Sequence, residues 1–149
     1  MSRILITGMS GAGKTTVLRE LSRRGYRTID TDYDGWVLPD GTWDETRMSA
    51  LLETHMPLFV SGTVENQGAF YDRFSAVVLL SAPAEILIER VSLRANNSYG
   101  RSTADQAEIL QFILDVEPLL RGGATLELDG RRPVSELADE LERLIRVSP

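Results

Sequence analysis

Eight consecutive residues, Gly8-Met9-Ser10-Gly11-Ala12-Gly13-Lys14-Thr15, fit the pattern G-x-x-x-x-G-K-[ST] with no mismatch. The chemistry such a run supports is capture of a polyphosphate. Successive backbone N–H groups of a glycine-rich turn point inward and form an anion nest, here running through Ser10, Gly11 and Ala12. Gly8 and Gly13 permit backbone conformations that a side chain forbids and keep Cβ atoms out of the phosphates' way. Lys14 brings a mobile positive charge to the β- and γ-phosphates, the Thr15 hydroxyl can ligate Mg²⁺, and Thr16 is positioned for the α-phosphate.

A second group of candidates is acidic. In Asp30-Thr31-Asp32-Tyr33-Asp34, alternate residues of an extended segment share a face, which puts Asp30 and Asp32 together. Carboxylates beside a triphosphate are repelled unless they hold Mg²⁺ or accept a proton from a hydroxyl nucleophile. Both roles are open to Asp30 and Asp32; the competing reading is turn chemistry, in which Asp is common, and it weighs more heavily on Asp34. The turn Ser61-Gly62-Thr63-Val64-Glu65-Asn66-Gln67-Gly68 supplies Gly62 and Asn66 as acceptor-side candidates, although Asn66 and Gln67 serve equally well as helix caps. No strand ends in an Asp-Glu pair, so the usual arrangement for activating water is missing and transfer to a bound acceptor is favoured over hydrolysis.

Arginines complete the list. Arg94 and Arg101 flank Asn96-Asn97-Ser98-Tyr99-Gly100, a segment suited to a closing lid over a transferring phosphoryl group, with Arg90 four residues before Arg94 on the same helix face. A solvated basic helix face is the alternative, with Glu85 and Glu89 as weak pairing partners. In Asp129-Gly130-Arg131-Arg132-Pro133, Arg131 or Arg132 can stack on a base or remain on the surface. Arg47 is a candidate for the acceptor, near Trp36 and Trp43, which read as packing anchors; His55, the sole histidine, has no metal-ligating partner.

The elements that must position these residues alternate. Arg3–Thr7 reads as a buried strand and Thr16–Arg24 as a helix with Val17, Leu18 and Leu21 inward. Tyr26–Asp30 is a second strand, and Glu45–Thr54 a helix with Asp44 as N-cap. Pro57–Ser61 and Ala76–Ser81 are further strands; helices follow over Pro83–Arg94 and from Ser102 or Thr103 to Leu120, where Pro118 is expected to disturb the end. A fifth strand over Ala124–Leu128 and a helix over Pro133–Arg146 finish the chain. Strands alternating with helices mean a parallel sheet covered on both faces, an α/β/α sandwich whose ligands bind beyond the carboxyl ends of the strands.

Composition bounds the partners. The 149 residues suit one domain spanning 1–149, with an acceptor segment at about 33–56 and a lid at about 94–104. Sixteen basic and twenty-two acidic residues leave a net charge of −6, which argues against a nonspecific nucleic-acid or anionic-membrane binder. Cysteine is absent, so thiolate metal sites and disulfides are too, and a cytoplasmic location fits. The first strand begins at residue 3, which is expected to leave no room for a signal peptide.

The glycine loop, Asp30-x-Asp32, the glycine turn after strand three and the arginine-bearing segment together resemble the shikimate kinase and nucleoside monophosphate kinase group of P-loop proteins. Segments 61–68 and 94–100 look like those of uncharacterised small bacterial ATP-binding proteins of that group. The resemblance implies a five-stranded parallel sheet in order 2-3-1-4-5, ATP–Mg²⁺ as donor and a lid after strand four. By position, Asp30 resembles the Mg²⁺-associated aspartate and Asp32 the one that contacts the acceptor hydroxyl. The Gly-Gly-Gly turn those kinases use against shikimate is here Ser61-Gly62-Thr63, so shikimate is not carried over as acceptor. Two readings follow: a phosphotransferase acting on a nucleoside, nucleotide or hydroxylated metabolite, or a non-catalytic switch in which ATP orders a partner surface. The guanine-reading pattern Asn-Lys-x-Asp is absent, which favours adenine.

Overall fold

Ile4, Leu5 and Ile6 leave the first strand no polar face, so it has to be covered on both sides. The computed structural model describes residues 3–54, 57–93 and 103–147 and meets that demand. Its strands are β1 (Arg3–Gly8), β2 (Arg27–Asp30), β3 (Leu58–Ser61), β4 (Ala76–Ser81) and β5 (Leu126–Asp129). They form one sheet in the order β2-β3-β1-β4-β5, every neighbouring pair parallel. This is the order the resemblance implied.

The helices are α1 (Lys14–Arg23), α2 (Glu45–Leu52), α3 (Ala84–Ser92), α4 (Thr103–Gly123) and α5 (Val134–Val147). Successive strand residues point to opposite faces, and the core divides accordingly. Ile4, Ile6 and Phe59 join Val17, Leu18 and Leu21 of α1 and Leu137, Leu141 and Ile145 of α5. Leu5, Leu58, Val60 and Val77 join Trp36, Trp43 and the α2 residues Met48, Leu51 and Leu52. Burying one such aliphatic side chain contributes about 1.5–3 kcal/mol.

Three elements depart from expectation. Residues Gln67–Arg73 form a 3-10 helix that begins inside the polar turn expected over 61–68, its inner side filled by Gln67 and Phe70. The helix α4 passes through Pro118 and continues to Gly123. A proline removes one helical N–H, and burial of Leu120 just beyond it keeps the last turn seated. The helix α3 has Pro83 as its N-cap and closes with Leu93 at its C-cap. Arg94, Arg101, the rest of the lid reading over 94–102, and His55 lie outside the described residues. Among the described residues no helix is long and apolar enough to cross a membrane.

The helices α1 and α5 are joined through Arg24, whose guanidinium reaches Glu20 at 2.8 Å, Asp139 at 2.8 Å and Glu142 at 3.0 Å. Hydrogen bonds from Arg23 and then Arg24 pull the Glu20 carboxyl down to about 2. The folded chain therefore binds fewer protons at this site than the unfolded chain, whose carboxyl titrates near 4.5. The stabilisation is fully present above about pH 4.5 and is lost as pH falls through about 2. Urea-denaturation midpoints measured from pH 6 to 2 are expected to fall less steeply in Glu20→Gln than in the wild type; identical slopes would remove this pair from the acid response.

Candidate nucleotide-binding site

The turn from β1 into α1 sets the site. Gly8 has φ +156°, and a Cβ there would lie 2.4 Å from the Leu80 carbonyl oxygen of the neighbouring strand, so only glycine fits. Gly13 takes the N-cap position of α1 in the left-handed conformation and offers no side chain to the first turn. That turn carries no acidic residue either. By contrast, α2 is capped by Asp44, whose carboxylate accepts from the Arg47 N–H at 3.1 Å. The start of α1 therefore has neither a capping side chain nor an acidic residue of its own against the positive end of its dipole.

These groups open onto a cavity of about 590 Å³. Ser10, Gly11, Gly13, Lys14, Thr15 and Thr16 line one wall. Gly8 and the buried Ala12 shape the loop from behind. The Lys14 ammonium donates to the Gly8 carbonyl at 2.5 Å and the Met9 carbonyl at 3.4 Å, which holds the charge over the loop. Asp32 lines the same cavity. The Thr15 hydroxyl donates to Asp30 Oδ2 at 3.0 Å, and Asp30 Oδ1 accepts the Asp32 N–H at 3.1 Å. One carboxylate thus orients the threonine hydroxyl and the second aspartate together. With its hydrogen directed at Asp30, the Thr15 oxygen presents lone pairs outward. Among the described residues no group of three or more His, Asp or Glu side chains is arranged to cage a metal. Thr15 and Asp30 instead suit a cation that keeps waters and phosphate oxygens in its shell, the habit of Mg²⁺.

Gly130, Arg132, Val134 and Leu137 line the same cavity, with Gly130 packed against the Ala12 carbonyl. Arg131, the other of the two base-stacking candidates, does not line this cavity. It forms a forked pair with Asp129, Nε to Oδ1 at 3.0 Å and Nη2 to Oδ2 at 2.7 Å, and holds that carboxyl down at about 2. Arg90 lines the cavity and braces it: Nη1 donates to the Gly11 carbonyl at 3.0 Å and Nη2 to the Gly130 carbonyl at 3.1 Å. One guanidinium thereby ties the glycine loop to the turn after β5.

The acceptor-side candidates are engaged internally. A Cβ on Gly62 would lie 2.2 Å from Thr31 Oγ1 and 3.2 Å from the Trp43 ring. The Trp43 indole N–H donates to that Thr31 hydroxyl at 3.0 Å, which itself donates to the Ser61 carbonyl at 2.8 Å. Asn66 Oδ1 accepts the Trp43 N–H at 2.9 Å, while its amide nitrogen donates to the Trp43 carbonyl and to Glu45. Arg47 lies 3.9 Å above the Trp36 ring centroid and donates to the Asp34 carbonyl. Asp34 has φ +64° and shapes that turn. Arg47 thus builds the segment between β2 and β3, and Gly62 and Asn66, just beyond β3, pack against it. Tyr33, to which the sequence reading gave no role, is 60% exposed and lines the cavity beside Asp32.

A parallel sheet in this order, a glycine loop feeding an uncapped helix and a Thr–Asp link beneath it define a P-loop protein with the fold of the small-molecule kinases. The family model described as "AAA domain" matches residues 4–111, and the chain belongs to that family. It is similar to a "Nucleotide-binding protein" of Pseudomonas fluorescens, 30% identical over 152 residues that cover 86% of this chain and 51% of the relative. It also resembles a nucleotide-binding protein of Rhodospirillum rubrum, 41% identical over 66 residues, or 41% of this chain and 20% of that one. The chain thus spans about half, or less, of the length of these curated relatives. Among solved structures, a shikimate kinase from Acinetobacter baumannii in complex with shikimate matches with TM-score 0.72 and 22% identity, covering 98% of this chain and 93% of the other. A gluconokinase from Sinorhizobium meliloti matches with TM-score 0.61 and 21% identity over 99% and 93%. These two share the fold.

Because the Gly62 Cα faces the Thr31 hydroxyl, Gly62→Ala is expected to push that hydroxyl off the Trp43 indole. Overpacking of this kind costs about 1–3 kcal/mol. Thermal unfolding should show a lowered midpoint, and an unchanged midpoint would mean the contact yields freely.

Proposed function

We propose that this chain is an ATP–Mg²⁺-dependent phosphotransferase acting on a small hydroxyl-bearing acceptor. The observation that carries this reading is the convergence on one cavity of the open α1 N-terminus, Lys14, the Asp30-oriented Thr15 and Asp32. In it, loop amides from Ser10 to Gly13 cradle the phosphates and Lys14 bridges the β- and γ-phosphates. Thr15 and Asp30 would hold Mg²⁺, which would neutralise charge on the phosphates. Asp32 accepts the proton of the acceptor hydroxyl as its oxygen bonds to the γ-phosphorus. The bond from that phosphorus to the β–γ bridging oxygen breaks, and ADP leaves. Arg132, with Val134 and Leu137, borders the base, with adenine favoured. Arg94 and Arg101 remain assigned to closure over the transferring group on sequence grounds alone.

A second reading is a nucleotide-dependent binding module without turnover. It draws support from the internal engagement of Gly62, Asn66 and Arg47, the residues first assigned to an acceptor.

The two readings separate in one experiment. A panel of nucleosides, nucleotides and hydroxylated metabolites is screened with ADP–Mg²⁺ by thermal shift, since a ligand of the folded form raises the melting temperature. Hits are assayed for acceptor-dependent ADP release. A phosphotransferase is expected to lose that release by about a hundredfold or more in Lys14→Ala and in Asp32→Asn. At most a trace of ADP release, the same with every acceptor and unchanged in Asp32→Asn, would support the binding module instead.

A further inference from the structure

The register of the sheet brings the turn after β3 level with the glycine loop, since Ile6 pairs with Ser61 across β1 and β3. Two residues further on, Thr63 meets Gly8. Its hydroxyl accepts the Gly8 N–H at 3.2 Å and donates to the Gly8 carbonyl at 2.6 Å. That carbonyl is the same oxygen that takes the Lys14 ammonium at 2.5 Å.

The hydrogens behind this contact follow one another in a fixed direction. Gln67 Oε1 accepts the Val64 N–H at 2.9 Å, which fixes the orientation of the amide. Its nitrogen donates to Thr7 Oγ1 at 3.1 Å and to the Tyr71 hydroxyl at 2.7 Å. Thr7 and Thr63 hydroxyls are 3.1 Å apart. A hydroxyl has one hydrogen to give. With the Thr63 hydrogen spent on Gly8, Thr7 is the donor between them. The order is therefore Gln67 amide to Thr7, Thr7 to Thr63, Thr63 to the Gly8 carbonyl. Thr7 and Gln67 are both buried, at 0% and 3% exposure, so none of these partners is readily replaced by water. At the far end, Gly123 packs so closely on the Tyr71 ring that a Cβ would sit 2.2 Å from Cε2.

We propose that Thr63 is a positioning residue of the nucleotide loop: its hydroxyl clamps Gly8 from both sides and so sets where the Lys14 ammonium stands. Gln67 and Thr7 hold that hydroxyl in its donating direction. The inference rests on the reading of residues 8–15 as a nucleotide loop and adds a residue outside it. A Lys14 whose anchor carbonyl is free to turn loses its aim at the γ-phosphate first, so ATP is affected more than ADP.

Calorimetry with the full chain tests this, using Mg–ATP and Mg–ADP against wild type, Thr63→Val and Thr63→Ser. Thr63→Val is expected to weaken ATP by about tenfold and ADP by about threefold or less, the scale of one or two neutral hydrogen bonds. Thr63→Ser, which keeps the hydroxyl, is expected to stay within about threefold of wild type for both. Should Thr63→Val fail to fold, Thr63→Ala removes the hydroxyl without placing a methyl beside Gly8 and reads the same two affinities. Equal weakening of ATP and ADP, a serine variant as weak as the valine one, or no weakening at all would each overturn the clamp while leaving nucleotide binding intact. A wild type that binds neither nucleotide would overturn the loop reading and the clamp with it.

Discussion

No side chain caps the start of α1, and the architecture follows from that. Gly13 sits at the N-cap without a side chain, and the first turn has no carboxylate. Elsewhere the chain caps a helix readily, as Asp44 does for α2. An end left open in this way is a fixed patch of positive potential. It is held at the C-terminal edge of the two central strands by contacts that tolerate little change, with Gly8 against the Leu80 carbonyl. Membership of the AAA domain family and the fold shared with shikimate kinase and gluconokinase structures are consistent with this one local demand.

Around the open helix end, the chain fixes distances with side chains that reach across the sheet. Arg90 from α3 bridges Gly11 and Gly130, joining the loop to the turn after β5. Thr63 does the same from the β3 side through Gly8. Asp30 joins the first turn of α1 to the end of β2. Three strand ends are thereby tied to one loop by hydrogen bonds in which a charged group or a hydroxyl meets backbone or a second side chain. Such groups gain more in a recess than in open water.

Much of this was legible in the sequence, and the reasons differ by element. The glycine loop was plain because its residue types are demanded by backbone geometry. The strands β1 and β4 were plain because strands covered on both faces read as unbroken apolar runs. The 3-10 helix over Gln67–Arg73 was not, since its inner side holds a glutamine that only its partners Thr7, Tyr71 and Val64 make at home. Arg131 and Arg132 differ by one position in a turn, and the pair formed with Asp129 could not be read from residue type. Gly62 and Asn66 stood at the right place for ligand contacts, but packing against Thr31 and Trp43 is a tertiary fact. Thr63 stood within a turn already singled out. Its link to Gly8 needed the strand register, which is fixed only when the sheet is assembled.

Both tryptophans of the chain, Trp36 and Trp43, fall in the stretch between β2 and α2. One lies beneath the Arg47 guanidinium and the other gives its indole hydrogen to Thr31, a residue away from Asp30 and Asp32. Ultraviolet emission from this protein excited at the indole band therefore originates entirely in that stretch, beside the carboxylates. The molecule carries its own optical gauge of whether its second loop stirs when the first is filled, with no dye to attach.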